Sequence, residues 1–204
     1  MPARPATQAR YNTPLRQAQR DLTRSRIKNA ARDLFYENHY DSTTMDEIAL
    51  AAGLRRSTLY LHYRDKSEIL LDVIADYTPK AKAVLATLPG PHPSLKELLS
   101  WVKRVAKFVS KERAPLSIIL EFQSRHQSAA ELETMTQALL EAIGTNNPVF
   151  REAARIEADA ALRARVLMLL QELTYACGIY LDNTSDARGK AMLQVAAEDF
   201  ASFL

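Results

Sequence analysis

Apolar positions along this chain recur at three- and four-residue spacing almost throughout, and no run alternates as a strand would. From Leu22 the pattern Ile27, Ala31, Leu34, Phe35 marks one face of a helix, with Arg24, Lys28 and Arg32 turned away, ending near Asn38. Thr43 or Thr44 is placed to cap a short second helix whose buried stripe is Met45, Ile48, Ala49 and Ala52. Gly53 supplies the positive φ of a turn. A third helix follows over residues 55–63, with Leu59 inward. Asp65 or Ser67 caps a fourth, carrying Ile69, Leu70, Val73, Ile74 and Tyr77 and expected to end by Pro79.

Beyond the break Pro89-Gly90-Pro91-His92-Pro93, Ser94 to Glu97 has the capping-box form and opens a helix to about Lys111. Two long helical tracts are expected next, over 116–143 and 149–182, the second divided near 158–160. A last helix starts near Ser185 or Asp186 and runs to the end. Residues 1–20, with Pro2, Pro5 and Pro14 and little periodicity, are expected to be a disordered arm. The expected fold is all-α: this basic arm (1–20), a three-helix helix-turn-helix domain (21–67) and a larger C-terminal helical domain for ligand binding and dimerisation (68–204).

Composition supports this and narrows the partner. Only five glycines occur in 204 residues, and strong helix formers abound. Residues 1–66 carry a net charge of +5 and the remaining 138 a net of −2, so the positive charge is confined to the first third. A basic module on a near-neutral body calls for a polyanion. One cysteine, Cys177, excludes an internal disulfide and a cysteine-rich zinc site. With no membrane-length apolar run and no secretory leader, a cytoplasmic protein is expected. His39, His62, His92 and His126 lack metal spacing, no phosphate loop or nucleophile elbow is present, and neither a metal nor a cofactor is expected.

The chemistry lies between Thr43 and Lys66. A short helix, a glycine turn and a second short helix make a helix-turn-helix, whose second helix must expose short and basic side chains while Leu54 and Leu59 lock its back. Arg55 and Arg56 either pair with a guanine edge or reach phosphates. Ser57 is one of those short side chains, Thr58 suits a thymine methyl, and Tyr60 and His62 suit phosphate oxygens.

Thr43-Thr44-Met45-Asp46-Glu47-Ile48-Ala49, Ala52-Gly53-Leu54, Ser57-Thr58-Leu59-Tyr60-Leu61-His62-Tyr63 and Lys66 together resemble the DNA-binding domain of TetR-family regulators, over about residues 22–71. The resemblance implies a homodimer on a double-stranded DNA operator, and a variable C-terminal domain that holds a small-molecule effector. It implies Thr44 and Lys66 at helix N-termini over phosphates, and Tyr60 and His62 gripping the backbone. Arg55 departs from the small residue, often serine, common in the family, and is expected to cap less well and reach DNA.

In the C-terminal body, Trp101, Phe108, Phe122, His126 and Tyr175 are the candidates to line a site for a mostly apolar effector. Leu162, Val166, Leu169, Leu170 and Leu173, with Leu193, Ala196, Ala197, Phe200, Phe203 and Leu204, form two apolar seams for a dimeric four-helix bundle. The expected function is an operator-binding regulator, a repressor released by its effector. The alternative is a helical ligand-binding protein or enzyme whose basic arm is incidental.

Overall fold

Ten helices account for the secondary structure in a computed structural model of the chain, which describes residues 14–125, 130–155, 157–182 and 187–204; among these no strand occurs. They are α1 (Pro14–Asn38), α2 (Met45–Ala51), α3 (Arg56–Tyr60), α4 (Lys66–Leu85), α5 (Leu95–Lys111), α6 (Arg113–Arg125), α7 (Ala130–Ile143), α8 (Pro148–Ala153), α9 (Ala160–Asp182) and α10 (Ala187–Phe203). The chain divides into two compact units that meet between Val73 and Ile74, inside α4.

The N-terminal unit is built as its pattern requires. Ile27, Ala31 and Phe35 of α1 are fully buried with Ile48, Leu59 and Ile69, and Tyr40 packs edge-on to Phe35 at 5.1 Å. Thr44 caps α2 in a complete capping box with Glu47. At the other end of α2, Gly53 has φ 65°, its amide donating to the Leu50 carbonyl and the Leu54 amide to the Ala49 carbonyl. That pair is a Schellman motif, which needs a left-handed residue and so a glycine. Asp65 accepts from the Glu68 amide and starts α4. The Ser67 hydroxyl and that amide hold its carboxyl down at about 2.

Two boundaries differ from expectation. The first helix starts at Pro14, not Leu22, so residues 14–20 are helical, while 1–13 lie outside the described residues. Proline is pre-shaped for a first helical turn, and the Gln17 side-chain amide donates to Asp21 one turn on. Helix α4 runs through Pro79 to Leu85. The ring removes one donor, yet the stripe Tyr77, Ala81, Leu85 stays buried and holds the helix together.

The C-terminal unit centres on α5, α9 and α10. Trp101, Phe150 and Phe200 are fully buried, with Trp101 to Phe200 at 5.0 Å and Phe150 stacked on Phe200 at 5.8 Å. The capping box at Ser94 forms as expected. The expected tract 116–143 is two helices, α6 and α7, and 149–182 is divided into α8 and α9. No helix of the described residues is long and apolar enough to cross a membrane.

Candidate nucleic-acid interface

Helix α3 is anchored by what it hides. Leu59 is fully buried and Tyr63, one turn on, is 1% exposed. The Tyr63 hydroxyl donates to Asp72 at 2.6 Å, and Arg24 reaches the same carboxylate oxygen at 2.7 Å. Arg24 also lies over the Tyr63 ring and donates to the His62 carbonyl at 3.0 Å. Burial would raise the Asp72 carboxyl, but the Tyr63 hydroxyl and the Arg24 guanidinium outweigh it and leave it lowered. This cluster fixes the exit of α3 against α1 and α4. Its entry is fixed by Arg26, which donates to the Ala52 carbonyl at 2.7 Å beside the Gly53 turn. None of Arg24, Arg26 or Asp72 stood out in sequence, since the partners of the two arginines lie 26 to 48 residues away.

What α3 exposes follows from that anchoring. Arg55 is its N-cap and gives no side-chain cap, as expected of an arginine there. Arg55, Arg56, Ser57 and Tyr60 are exposed and Thr58 is half-buried. Arg56 pairs with Asp46 of α2 at 2.7 Å and lies over the Tyr60 ring at 5.5 Å. Both members of that pair are about three-fifths exposed, so the link is weak and aims the guanidinium without holding it back. Thr44 is exposed, with its hydroxyl on Glu47. His62 is half-buried with Nδ1 buried and without a partner. Burial first, then Arg20 and Arg24, push its pKa below 6.5, so the ring is neutral near pH 7.

Lys66 opens α4, the helix N-terminus expected of it, but its ammonium is engaged within the fold. Its ammonium donates to the carbonyls of Tyr40, Asp41 and Thr43 at 2.8, 3.0 and 3.2 Å and sits 4.5 Å from the centre of the Tyr40 ring. A lysine has three protons, and all three are engaged in closing the α1–α2 turn. In this structure the fold takes the cation that the resemblance gave to a phosphate.

Residues 27–73 match the family model of bacterial regulatory proteins, tetR family. Over 162 residues the chain is 26% identical to the HTH-type transcriptional regulator UidR of Escherichia coli strain K12, covering 78% of this chain and 81% of UidR. It is 27% identical over 127 residues to the transcriptional activator FasR of Mycolicibacterium smegmatis, spanning 58% of that protein. It is also 32% identical over 94 residues to the transcriptional repressor BepR of Brucella suis, covering 45% of each chain. Among solved structures, Salmonella enterica GusR superposes with a TM-score of 0.65 at 21% identity, over 94% of this chain and 98% of that one. Bacillus subtilis FadR, in complex with stearoyl-CoA, superposes with a TM-score of 0.61 at 15% identity, over 88% of this chain and 98% of that one. Residues 27–73 are thus similar to the DNA-binding domain of TetR-family regulators. The relatives it matches are transcription regulators of the helix-turn-helix type.

The expected effector residues lie in different surroundings. Trp101 is fully buried against Phe200, with its Nε1 unpartnered. Phe108 is half-buried beside Tyr77 at 5.6 Å, and Phe122 is half-buried on α6. Tyr175 is 58% exposed and faces away from the core, and His126 lies outside the described residues. A cleft of about 600 Å³ lies elsewhere, lined by Glu133, Gln137 and Arg163 among others, and is charged where the expected site is apolar. Cys177 is fully buried and its thiol is pushed up to about 12, so it stays protonated and unreactive.

The two seams are also placed differently. Val166, Leu173, Leu193, Ala196, Ala197 and Phe200 are all buried within the single chain, packing α9 and α10 on each other and on α5. Helix α5, fully amphipathic through Leu98, Trp101, Val102 and Val105, supplies the partner face that the seams were expected to find in a second subunit. Among the described residues, the large apolar side chains of α9 and α10 that are exposed include Met168, Tyr175 and Val195.

Proposed function

We propose that this chain is an effector-released repressor that binds a pseudo-palindromic operator as a homodimer in the cytoplasm, with α3 in the major groove. The observation that carries the reading is the exposed set Arg55, Arg56, Ser57 and Tyr60 on a helix pinned by buried Leu59 and Tyr63. Arg56, steered by Asp46, takes a guanine edge; Tyr60 and His62 take phosphates; Thr44 takes a phosphate at the start of α2. Dimerisation uses the outward stripe of Met168 and Tyr175, seven residues apart on α9, together with Val195. A mostly apolar effector is supported by the apolar, aromatic make-up of the C-terminal core, and by the stearoyl-CoA bound to the FadR neighbour. BepR, a repressor, supports the sign of regulation.

The test is selection of a binding site from random duplex DNA, then gel shifts at two salt concentrations with and without acyl-CoAs of graded chain length. A selected palindrome with half-sites about one helical turn apart is expected, released by the longer acyl chains. Arg56→Ala should relax preference at one base pair by about 1–3 kcal/mol. No selected sequence removes the DNA reading. A selected site that no acyl-CoA releases removes the acyl-CoA part alone.

A further inference from the structure

Leu61 follows α3 as its C-cap, with helical angles of φ −74° and ψ −17°, and is 76% exposed. At 100° per residue it points about 200° away from buried Leu59, and Ser57 points about 160° away. These two residues, one turn apart, therefore form the outermost stripe of α3, with Arg56 and Tyr60 on one flank and Thr58 on the other. A single leucine on an ordinary surface needs no explanation. On a face that is to be covered by DNA its surroundings are dictated by the partner. A phosphate opposite Leu61 would lose water and gain no donor, while Tyr60 and His62 on either side of it can donate. In the major groove the apolar feature of a base edge is the thymine C5 methyl. Ser57 and Leu61 lie about 6 Å apart along the axis, under two base-pair steps, so both fit within one groove segment.

We infer that Leu61 is a specificity-determining residue that packs on a thymine methyl and so writes a thymine into each half-site. This rests on the reading of α3 as the helix in the groove. Since Leu61 is exposed, its replacement leaves the buried contacts of the unit in place.

The test uses the full chain and the duplex selected above, with each thymidine in turn replaced by deoxyuridine, which removes the methyl alone. One thymine per half-site is expected at which the change weakens wild-type binding about fourfold, the worth of one buried methyl-sized group. Leu61→Ala, which removes the contact from both half-sites, should bind the intact site as weakly as wild type binds a site carrying that uridine in both half-sites, and lose nothing further on it. Leu61→Met, which keeps an apolar side chain, should retain the thymine sensitivity. Leu61→Ala that discriminates thymine from uracil as wild type does, or that weakens on every duplex alike, overturns the inference. Failure of wild type to select any site removes the helix-turn-helix reading and this inference with it, and is recognised by that result alone.

Discussion

The two units of this chain are both helical and both built round buried aromatic rings, yet their centres are held in different ways. In the N-terminal unit, polar side chains make the fold: Lys66 closes one turn with three bonds, Arg24, Tyr63 and Asp72 close another, and Arg26 ties a third. Such bonds have direction, so they fix the angle at which α3 is presented. In the C-terminal unit, the centre is apolar contact among α5, α9 and α10. Dispersion and burial have no direction, and a core of that kind accepts other side chains of similar volume. A reading head must be rigid, whereas a body proposed to hold an effector can leave its core open to repacking.

The largest expected effects test this at matched residues. Phe35→Ala and Phe200→Ala each remove a fully buried ring and should each cost about 3–5 kcal/mol. Phe35→Leu and Phe200→Leu should separate the units. Operator affinity, measured by gel shift, is expected to fall with the first and hold with the second. Equal loss from both would mean the reading head is no more exacting than the body.

Next in size is Lys66→Met, which keeps the stem and removes the ammonium. About 2 kcal/mol of stability should be lost, because three carbonyls lose a charged donor. The slope of operator affinity against salt should stay that of the wild type, as no phosphate contact is removed. A slope lowered by one contact, with stability unchanged, would return Lys66 to the phosphate.

Thr44→Ala should cost about 1 kcal/mol through the lost cap, read by chemical denaturation. Thr44→Ser keeps the capping hydroxyl and should restore it.

How much of this was legible in the sequence divides along the same line. Caps, the glycine turn and the inward stripe are local: Thr44 and Glu47 are three apart, and Gly53 joins adjacent helices. Periodicity therefore found α2, α3 and their exposed residues. What periodicity cannot show is which distant carbonyl a long side chain reaches, and this hid the role of Lys66, 23 to 26 residues from its acceptors. Nor can it show which helix an apolar stripe will meet. The stripes on α9 and α10 were sound, but α5, well upstream in the chain, covers them. Leu61 escaped notice for the converse reason: an apolar residue beside buried Leu59 and Tyr63 suggests core until the helical angle turns it outward.

The smallest expected effect is also the most discriminating, because stability and DNA binding should respond to acid in opposite directions. His62 has its pKa lowered from 6.5 in the folded chain, by burial first and then by Arg20 and Arg24. The unfolded chain therefore binds the proton more readily, and the stability this neutral ring contributes is present above pH 6.5 and lost as pH falls below it. Asp65 and Asp72 do not blur that window: their lowered carboxyls begin to cost stability only as pH falls toward 3.8 and below. A phosphate beside His62 reverses the sign for binding, since it favours the charged ring and raises the pKa in the complex. Between pH 7.5 and 5.5, wild type should then denature more easily while binding its operator more tightly. His62→Gln should flatten both responses. A stability response without a binding response would leave His62 near the DNA but off the phosphate, with Tyr60 carrying the backbone contact alone.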